Sequence, residues 1–118
     1  MNTVIAQDGE PFSLSGVVPH FNDAKYLKRC IESVVAQDIS PDEFIILDDS
    51  STDNSVKVIS EAIHGYPFAR LVQNPVNLGQ GGVPNANKGL QTARCKYVYF
   101  LGANDFVLPG LFRKMKEC

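Results

Sequence analysis

Apolar residues in this chain fall into short unbroken runs and into longer stretches with a helical period. The clearest run is Phe44-Ile45-Ile46-Leu47, and four successive apolar residues are typical of a strand buried on both faces of a parallel sheet. Four strands are predicted in this way, over residues 12–18, 43–47, 69–73 and 97–101. Pro19 is expected to end the first strand because it has no N–H to donate to a neighbouring strand.

Helices are predicted between these strands. In the first, Leu27, Ile31 and Val34 recur on one helical face, and Asn22 or Asp23 is in position to cap it. The predicted helices cover residues 24–37, 53–64 and 84–93, and a last one begins near Pro109. Strands that alternate with helices need right-handed crossovers and a parallel sheet covered on both faces. The pattern therefore predicts an α/β, Rossmann-like doubly wound fold, with residues 1–118 as a single domain.

Composition narrows the classes of partner. The 118 residues are 44% hydrophobic and 20% charged, with a net charge of −2, so a nucleic-acid or membrane-surface partner has no support. No apolar run approaches the roughly 20 residues of a membrane span, and residues 1–13 lack the basic and apolar pattern of a signal peptide. We expect a cytoplasmic protein, or the cytoplasmic face of a larger one. The three cysteines lack zinc-ligand spacing, and Cys30 is expected in the core.

Candidate chemistry follows the second predicted strand. Asp48 and Asp49 come directly after it and are followed by a cluster of hydroxyl residues. Ligands of open α/β sheets bind at the carboxyl ends of the strands, which is where these carboxylates would lie. The alternative is that Asp48 or Ser51 only caps the next helix.

Glycines supply a second candidate. Gly81-Gly82 could cradle a phosphate through backbone N–H groups, or the segment could be a flexible connection. Gly79-Gln80-Gly81-Gly82 matches neither the dinucleotide fingerprint nor the P-loop, which disfavours those classes. A receiver domain is also disfavoured, because only about 70 residues follow Asp48 and four further β-α units would not fit.

Four segments of the chain can be compared with known sequence patterns. They are Val17-Val18-Pro19-His20-Phe21-Asn22-Asp23, Ile46-Leu47-Asp48-Asp49-Ser50-Ser51-Thr52-Asp53, Asn77-Leu78-Gly79 with Asn87-Lys88-Gly89-Leu90, and residues 97–105. In that order they resemble P-x-Y/F-N-E/D, V-D-D-G-S-T-D, N-x-G followed by R-N-x-G-L, and Y-I-x-F-L-D-A-D-D. These patterns are the landmarks of family 2 glycosyltransferases of the GT-A fold. The resemblance covers residues 12 to about 117 and implies the N-terminal, nucleotide-sugar-binding half of such an enzyme.

The resemblance implies a nucleotide-diphosphate sugar, most commonly a UDP-sugar, across the carboxyl edge of the sheet. Phe21 corresponds to the aromatic ring that packs on the base, the alternative being simple core packing. Asp49, beside Asp48, corresponds to the carboxylate that accepts a hydrogen bond from the base. The donor-binding positions implied in this chain are Pro19, Phe21, Asn22, Asp48, Asp49, Ser51, Lys88 and Asn104.

The chain departs from the family at the metal site. The family's D-x-D motif holds ribose and a divalent metal, Mn or Mg, but its positions fall on Gly102-Ala103-Asn104. Asp105 follows directly and is the expected metal ligand. The arginine usual before N-x-G is Ala86, and Lys88 is expected to replace part of its charge near the diphosphate.

The resemblance implies transfer of a sugar to a hydroxyl of a glycan or lipid-linked acceptor, as in polysaccharide biosynthesis. The family's general base and acceptor-binding half lie downstream of the D-x-D motif. In this chain, residues 106–118 contain a single carboxylate side chain, that of Glu117. We therefore expect this polypeptide not to complete catalysis alone, and its catalytic residues are unknown. The alternative is a non-catalytic nucleotide-binding or assembly module. A homodimer through sheet surface that the missing half would cover is a further prediction.

Overall fold

A computed structural model describes residues 13–117 of the chain as four strands alternating with four helices. The elements are β1 (Leu14–His20), α1 (Ala24–Val35), β2 (Glu43–Asp48), α2 (Ser55–Ala62), β3 (Ala69–Gln73), α3 (Val83–Thr92), β4 (Tyr97–Phe100) and α4 (Leu111–Glu117). A short 3₁₀ turn, Gln80–Gly82, leads into α3. The predicted β-α order is confirmed.

The strands form one sheet in the order β3-β2-β1-β4, and every pairing is parallel. Val17 of β1 pairs with Ile45 of β2 on one side and with Phe100 of β4 on the other. The two inner strands are the most buried ones, as expected for strands that have neighbours on both sides and helices on both faces. The expected α/β, Rossmann-like doubly wound sheet is confirmed.

Side chains of β1 and β2 alternate between two apolar layers, because successive residues of a strand point to opposite faces. Val18, Phe44 and Ile46 pack with α1, α2 and α4 in the larger layer, where Cys30 is also buried. Val17, Ile45 and Leu47 form the smaller layer, and Val17 and Leu47 lie directly beneath Gly89 of α3. The expectation of a core position for Cys30 is confirmed, and burial raises the pKa of its thiol to about 12.

The prediction that Pro19 ends the first strand is wrong. β1 continues through Pro19, paired with Leu47, to His20. The backbone groups of residues two apart on a strand face the same neighbouring strand. The carbonyl of Val17 accepts from the N–H of Leu101, so the nitrogen of Pro19 also faces the β4 side of the sheet. The strand β4 has already ended at that level. No ladder donor is needed there. The predicted start of this strand, Phe12, lies outside the described residues.

Several other boundaries shift by one or two residues, and three of them have a clear local cause. α1 ends at Val35, and Asp23 occupies its N-cap without a side-chain cap bond, while the first helical N–H, that of Ala24, donates to Asp53 Oδ2 at 3.2 Å. α2 begins at Ser55, whose N–H is held by Asp53 Oδ1 at 2.9 Å. α4 begins at Leu111 because Gly110 has a φ of +85°, outside the helical region.

Over residues 13–117, no helix has both the length and the apolar character needed to cross a bilayer.

Candidate functional site

A cleft of about 900 Å³ opens at the carboxyl ends of β1 and β2, beside the N-terminus of α3. This is the edge at which parallel α/β sheets bind ligands. Its walls come from three chain segments: the end of β1, the turn after β2 and the glycine-rich entry to α3. The lining residues are Pro19, His20, Phe21, Asp49, Ser50, Thr52, Asn77, Gly79, Gly81, Gly82, Val83, Asn85 and Ala86.

Asp49 is a buried carboxylate in the cleft wall. Its Oδ1 accepts from Asn74 Nδ2 and from the N–H of Leu78, both at 2.9 Å, and its Oδ2 accepts a longer bond of 3.3 Å from the N–H of Gly79. Burial alone would raise the pKa of Asp49, but these bonds and the nearby charge of Lys88 outweigh it and lower the pKa. Asp49 is therefore ionised and fixed, with most of its unused acceptor capacity on Oδ2.

A network of buried amides stands behind Asp49. Asn74 Nδ2 also donates to Asn85 Oδ1 at 2.9 Å, and Asn85 Nδ2 donates to the carbonyl of Leu47 at 3.1 Å. Lys88 Nζ donates to Asn74 Oδ1 at 2.5 Å. The sequence interpretation missed Asn74 and Asn85. Asn74 had the same signal as Asp48 and Asp49, since it directly follows a strand that ends at this edge of the sheet.

Asp48 is also buried, and its bonds stay within the protein. Its Oδ2 accepts from the N–H of Ser51 at 3.1 Å, which shapes the turn after β2. Its Oδ1 lies 3.1 Å from His20 Nε2, a close contact whose angles do not meet hydrogen-bond geometry. Burial lowers the pKa of His20 despite the neighbouring aspartates. Asp48 thus stabilises the turn after β2. The N–H that it holds belongs to this turn, so Asp48 does not cap α2 as the alternative expected.

Phe21 lines the cleft, and its side chain is not packed in the core. The residue is 45% exposed, and Pro19 lies beside it in the cleft wall. An exposed aromatic ring next to a buried carboxylate is a suitable surface for a flat heterocycle.

Asn22 and Ser51 join the loop after β1 to the loop after β2. Asn22 has a φ of +55°, and its Oδ1 accepts from the N–H groups of Thr52 and Asp53 at 2.8 and 3.2 Å. Ser51 Oγ accepts from the N–H of Asn22 at 2.9 Å. Neither Asn22 nor Ser51 is among the lining residues of the cleft. Their hydrogen bonds hold the two loops beside the cleft together.

The remaining candidate residues lie apart from the cleft wall. Lys88 is half-buried against Asn74, and Asn104 and Asp105 are exposed in the loop after β4. None of these three lines the cleft. Among residues 13–117, no three His, Cys, Asp or Glu side chains come together in a group that could hold a metal ion.

The glycine-rich segment forms the rim of the cleft next to α3. Gly79, Gly81 and Gly82 have φ values of +64°, +67° and +84°, a backbone conformation that residues with a Cβ rarely adopt. They lead into the first turn of α3, where Pro84 occupies a favoured position. The N–H of Gly82 donates to the carbonyl of Gly79 and that of Val83 to the carbonyl of Gln80, so the attraction of this terminus for an anion comes from the helix dipole.

The amino-acid sequence was compared with protein-family models and with curated proteins, and both comparisons match glycosyltransferases. The model of the family described as Glycosyl transferase family 2 matches residues 15–117. An uncharacterized glycosyltransferase of Nostoc, alr2836, is 38% identical over 104 residues, which are 88% of this chain and 32% of the relative. The uncharacterized glycosyltransferase YibD of Escherichia coli is 33% identical over 102 residues, which are 86% of this chain and 29% of the relative. The chain thus spans about a third of the length of these relatives.

Solved structures agree on the fold. S. aureus TarS 1-349 in complex with UDP-GlcNAc superposes with a TM-score of 0.76 and 26% identity, over 87% of this chain and 30% of that one. The mannosyltransferase PcManGT of Pyrobaculum calidifontis, solved with GDP-Man and Mn²⁺, superposes with a TM-score of 0.71 over 90% of this chain and 32% of that one. At 20% identity, the second likeness concerns the fold alone.

Proposed function

Because the chain belongs to glycosyltransferase family 2, we propose that it is the donor-binding part of an enzyme that transfers a sugar from a nucleotide-diphosphate sugar to a hydroxyl acceptor. The observation that carries this proposal is the pairing of Asp49 and Phe21 in one cleft at the carboxyl edge of the sheet. One side chain offers only acceptors and the other offers an exposed apolar ring.

Uracil fits this pair of groups. Its imide N–H is a donor, and Asp49 Oδ2, which receives only one long bond within the protein, has room to accept it. Cytosine presents an acceptor at the same ring position, where it would face a carboxylate oxygen. We therefore propose a uridine nucleotide as the donor, in keeping with the UDP-GlcNAc named for the TarS complex.

The diphosphate is proposed to lie toward Gly81 and Gly82 and the first turn of α3. The positive end of the α3 dipole favours an anion there. Ala86 supplies no charge at this rim.

A metal ion would neutralise the leaving diphosphate, but this chain is poor in ligands for it. Magnesium sites in nucleotide enzymes use one or two carboxylates together with substrate phosphates. Asp105 is the one carboxylate in the loop that matches D-x-D, so it is the proposed ligand for Mn or Mg. No reaction step is assigned to the metal.

A second candidate is a non-catalytic nucleotide-binding or assembly module. Gly102 and Asn104, which replace the two aspartates of the metal motif, favour it. Under this proposal the cleft binds a nucleotide without metal and no sugar is transferred. Dimerisation of the chain also stays a prediction, and sedimentation at high concentration would test it.

The first experiment is calorimetric titration of the chain with UDP, once with Mn²⁺ and once with EDTA, with CDP as the matched control. Binding of UDP but not CDP supports base recognition by Asp49. A requirement for Mn²⁺ supports a working donor site, whereas weak binding that EDTA leaves unchanged favours the second candidate. Absence of UDP binding under both conditions overturns the donor-binding proposal and favours an assembly module.

The acceptor is proposed to be a glycan or a lipid-linked glycan. The expectation that this polypeptide does not complete transfer alone also stays a prediction. Incubation of the 118-residue chain with UDP-GlcNAc or UDP-glucose, Mn²⁺ and an oligosaccharide acceptor would contradict it if both released UDP and glycosylated acceptor were detected.

A further inference from the structure

The side chain of Lys88 extends to the buried amides behind Asp49. Its Nζ lies 2.5 Å from Asn74 Oδ1, and Asn74 Nδ2 lies 2.9 Å from Asp49 Oδ1. Lys88 does not line the cleft. The cation is therefore connected to the cleft carboxylate through a single amide.

The orientation of the Asn74 amide is determined by its neighbours. The Lys88 ammonium can only donate, and the ionised Asp49 carboxylate can only accept. Asn74 must therefore present its oxygen to Lys88 and its nitrogen to Asp49, and the second N–H of that nitrogen donates to Asn85 Oδ1. Asn85 is fixed in turn by the Leu47 carbonyl. Each polar atom of Asn74 has a partner, and the reversed amide would set donor against donor and acceptor against acceptor.

We infer that Lys88 is a positioning residue for base recognition: through Asn74 it fixes the Asp49 carboxylate so that Oδ2 is presented to the nucleotide base. The expected effect of Lys88 on nucleotide binding rests on the proposed function. It also changes the role of Lys88, which the resemblance to the family would place near the diphosphate.

The charge environment of Asp49 supports this role. The groups that face it are Lys88 from α3, His20 from β1 and its chain neighbour Asp48. His20 is buried with a lowered pKa and so is neutral near pH 7. Lys88 is then the cation that favours ionised Asp49, and its removal is expected to raise the pKa of the carboxyl group.

The test compares Lys88→Met with Lys88→Arg and with Lys57→Met, which removes the same charge from an exposed position on α2 away from the cleft. Binding of uridine and of UDP is followed by chemical-shift titration in NMR. A positioning role predicts that Lys88→Met weakens both ligands by a similar factor of about ten, the scale of a charge-assisted hydrogen bond, and that Lys57→Met changes neither. Loss of UDP affinity with uridine affinity intact would mean a direct contact with the diphosphate and would overturn the inference.

A second measurement does not need a ligand. In the ¹³C carboxyl titration of the free protein, Lys88→Met is expected to raise the titration midpoint of Asp49, Lys88→Arg to keep it low, and Lys57→Met to leave it unchanged. A purely structural role of Lys88 would lower the thermal midpoint without moving the Asp49 titration, and that result would also overturn the inference. If the wild-type chain binds neither uridine nor UDP, the proposed function fails, while this titration still decides the role of Lys88.

Discussion

Gly89 of α3 lies directly on Val17 of β1: a Cβ at position 89 would be 2.6 Å from Val17 Cγ1 and 3.1 Å from Leu47 Cδ1. Both partners are fully buried in the smaller apolar layer of the sheet. The absence of a side chain at Gly89 therefore allows the axis of α3 to approach the sheet closely. Because the N-terminal turn of the same helix forms one wall of the cleft, this contact also sets the width of the site.

Replacement of Gly89 by alanine forces an extra methyl group into a packed layer, which usually costs about 1–3 kcal/mol. Alanine is the better helix former by about 1 kcal/mol, so the net loss of unfolding free energy is expected to reach about 2 kcal/mol at most. Urea unfolding measures this free energy. Leu90→Ala at the neighbouring exposed position is the control, expected within about 0.5 kcal/mol of wild type. A Gly89→Ala variant that is more stable than wild type by the full helix-propensity gain would contradict the contact.

The sequence was sufficient for the architecture because each local pattern agrees with the fold. The apolar run 44–47 is buried on both faces of an inner strand, and the residues spaced for one face of α1 are buried as predicted. The boundaries needed tertiary information. Whether Pro19 can stay in β1 depends on where β4 ends, and no property of residue 19 itself carries that information.

The candidate site was predicted in part. Asp49 could be selected because it follows a strand whose carboxyl end lies at the ligand-binding edge of the sheet, and Phe21 because of its resemblance to the family pattern P-x-Y/F-N-E/D. Asn74 also follows a strand at this edge, but the hydrogen-bond partners of Asn74, Asn85 and Lys88 could not be predicted in this way. Their contacts join α3 to the ends of two strands, over separations of 11 to 38 residues.

Phe21→Ala is expected to weaken UDP binding by about 1–3 kcal/mol, the scale of base–aromatic stacking. Phe106→Ala is the matched control, because Phe106 is equally exposed, at 47% against 45%, but lies outside the cleft, with its ring 3.9 Å from the guanidinium of Arg29. Calorimetry with UDP compares the two variants. A loss of affinity that is equal in both, or absent from Phe21→Ala, would exclude stacking on Phe21.

The buried His20 predicts a pH dependence of stability. Burial lowers its pKa below the ordinary value of 6.5, against the opposing charges of Asp48, Asp23, Asp53 and Asp49. The unfolded chain then binds the proton more readily than the folded one. The stabilising contribution is complete above pH 6.5 and is lost as the pH falls from 6.5 toward the folded pKa.

Urea unfolding between pH 8 and pH 5 measures this loss, with His20→Asn as the control that cannot titrate. Three carboxyl groups have lowered pKa values: Asp49, Asp53 and Glu43. Their contributions to the free energy of unfolding are lost below this window, as the pH falls past their ordinary pKa values of 3.8 to 4.5. Wild type is therefore expected to lose stability from pH 7 to pH 5 while His20→Asn stays nearly constant. Parallel curves for the two proteins would show that His20 is not the group responsible.

Restoration of the metal motif separates the two candidate functions. A Cβ at Gly102 would meet only the side-chain ends of Asp105 and Asn104, at 3.0 and 3.2 Å, and the backbone there has no positive φ. The double variant Gly102→Asp/Asn104→Asp is therefore expected to fold. With Asp105 it brings three carboxylates into one loop, the oxygen ligands that Mn²⁺ and Mg²⁺ prefer.

We expect the double variant to bind UDP more tightly with Mn²⁺ than with EDTA, by at least about tenfold, which corresponds to about 1.4 kcal/mol. Gly102→Asn with Asn104 retained is the control, since it adds a side chain of the same size without charge. If wild type shows no such difference, the native loop has lost its metal site and the non-catalytic candidate gains. If wild type already shows it, Asp105 is sufficient as the protein ligand, and a donor site that works with metal is the better description of this cleft.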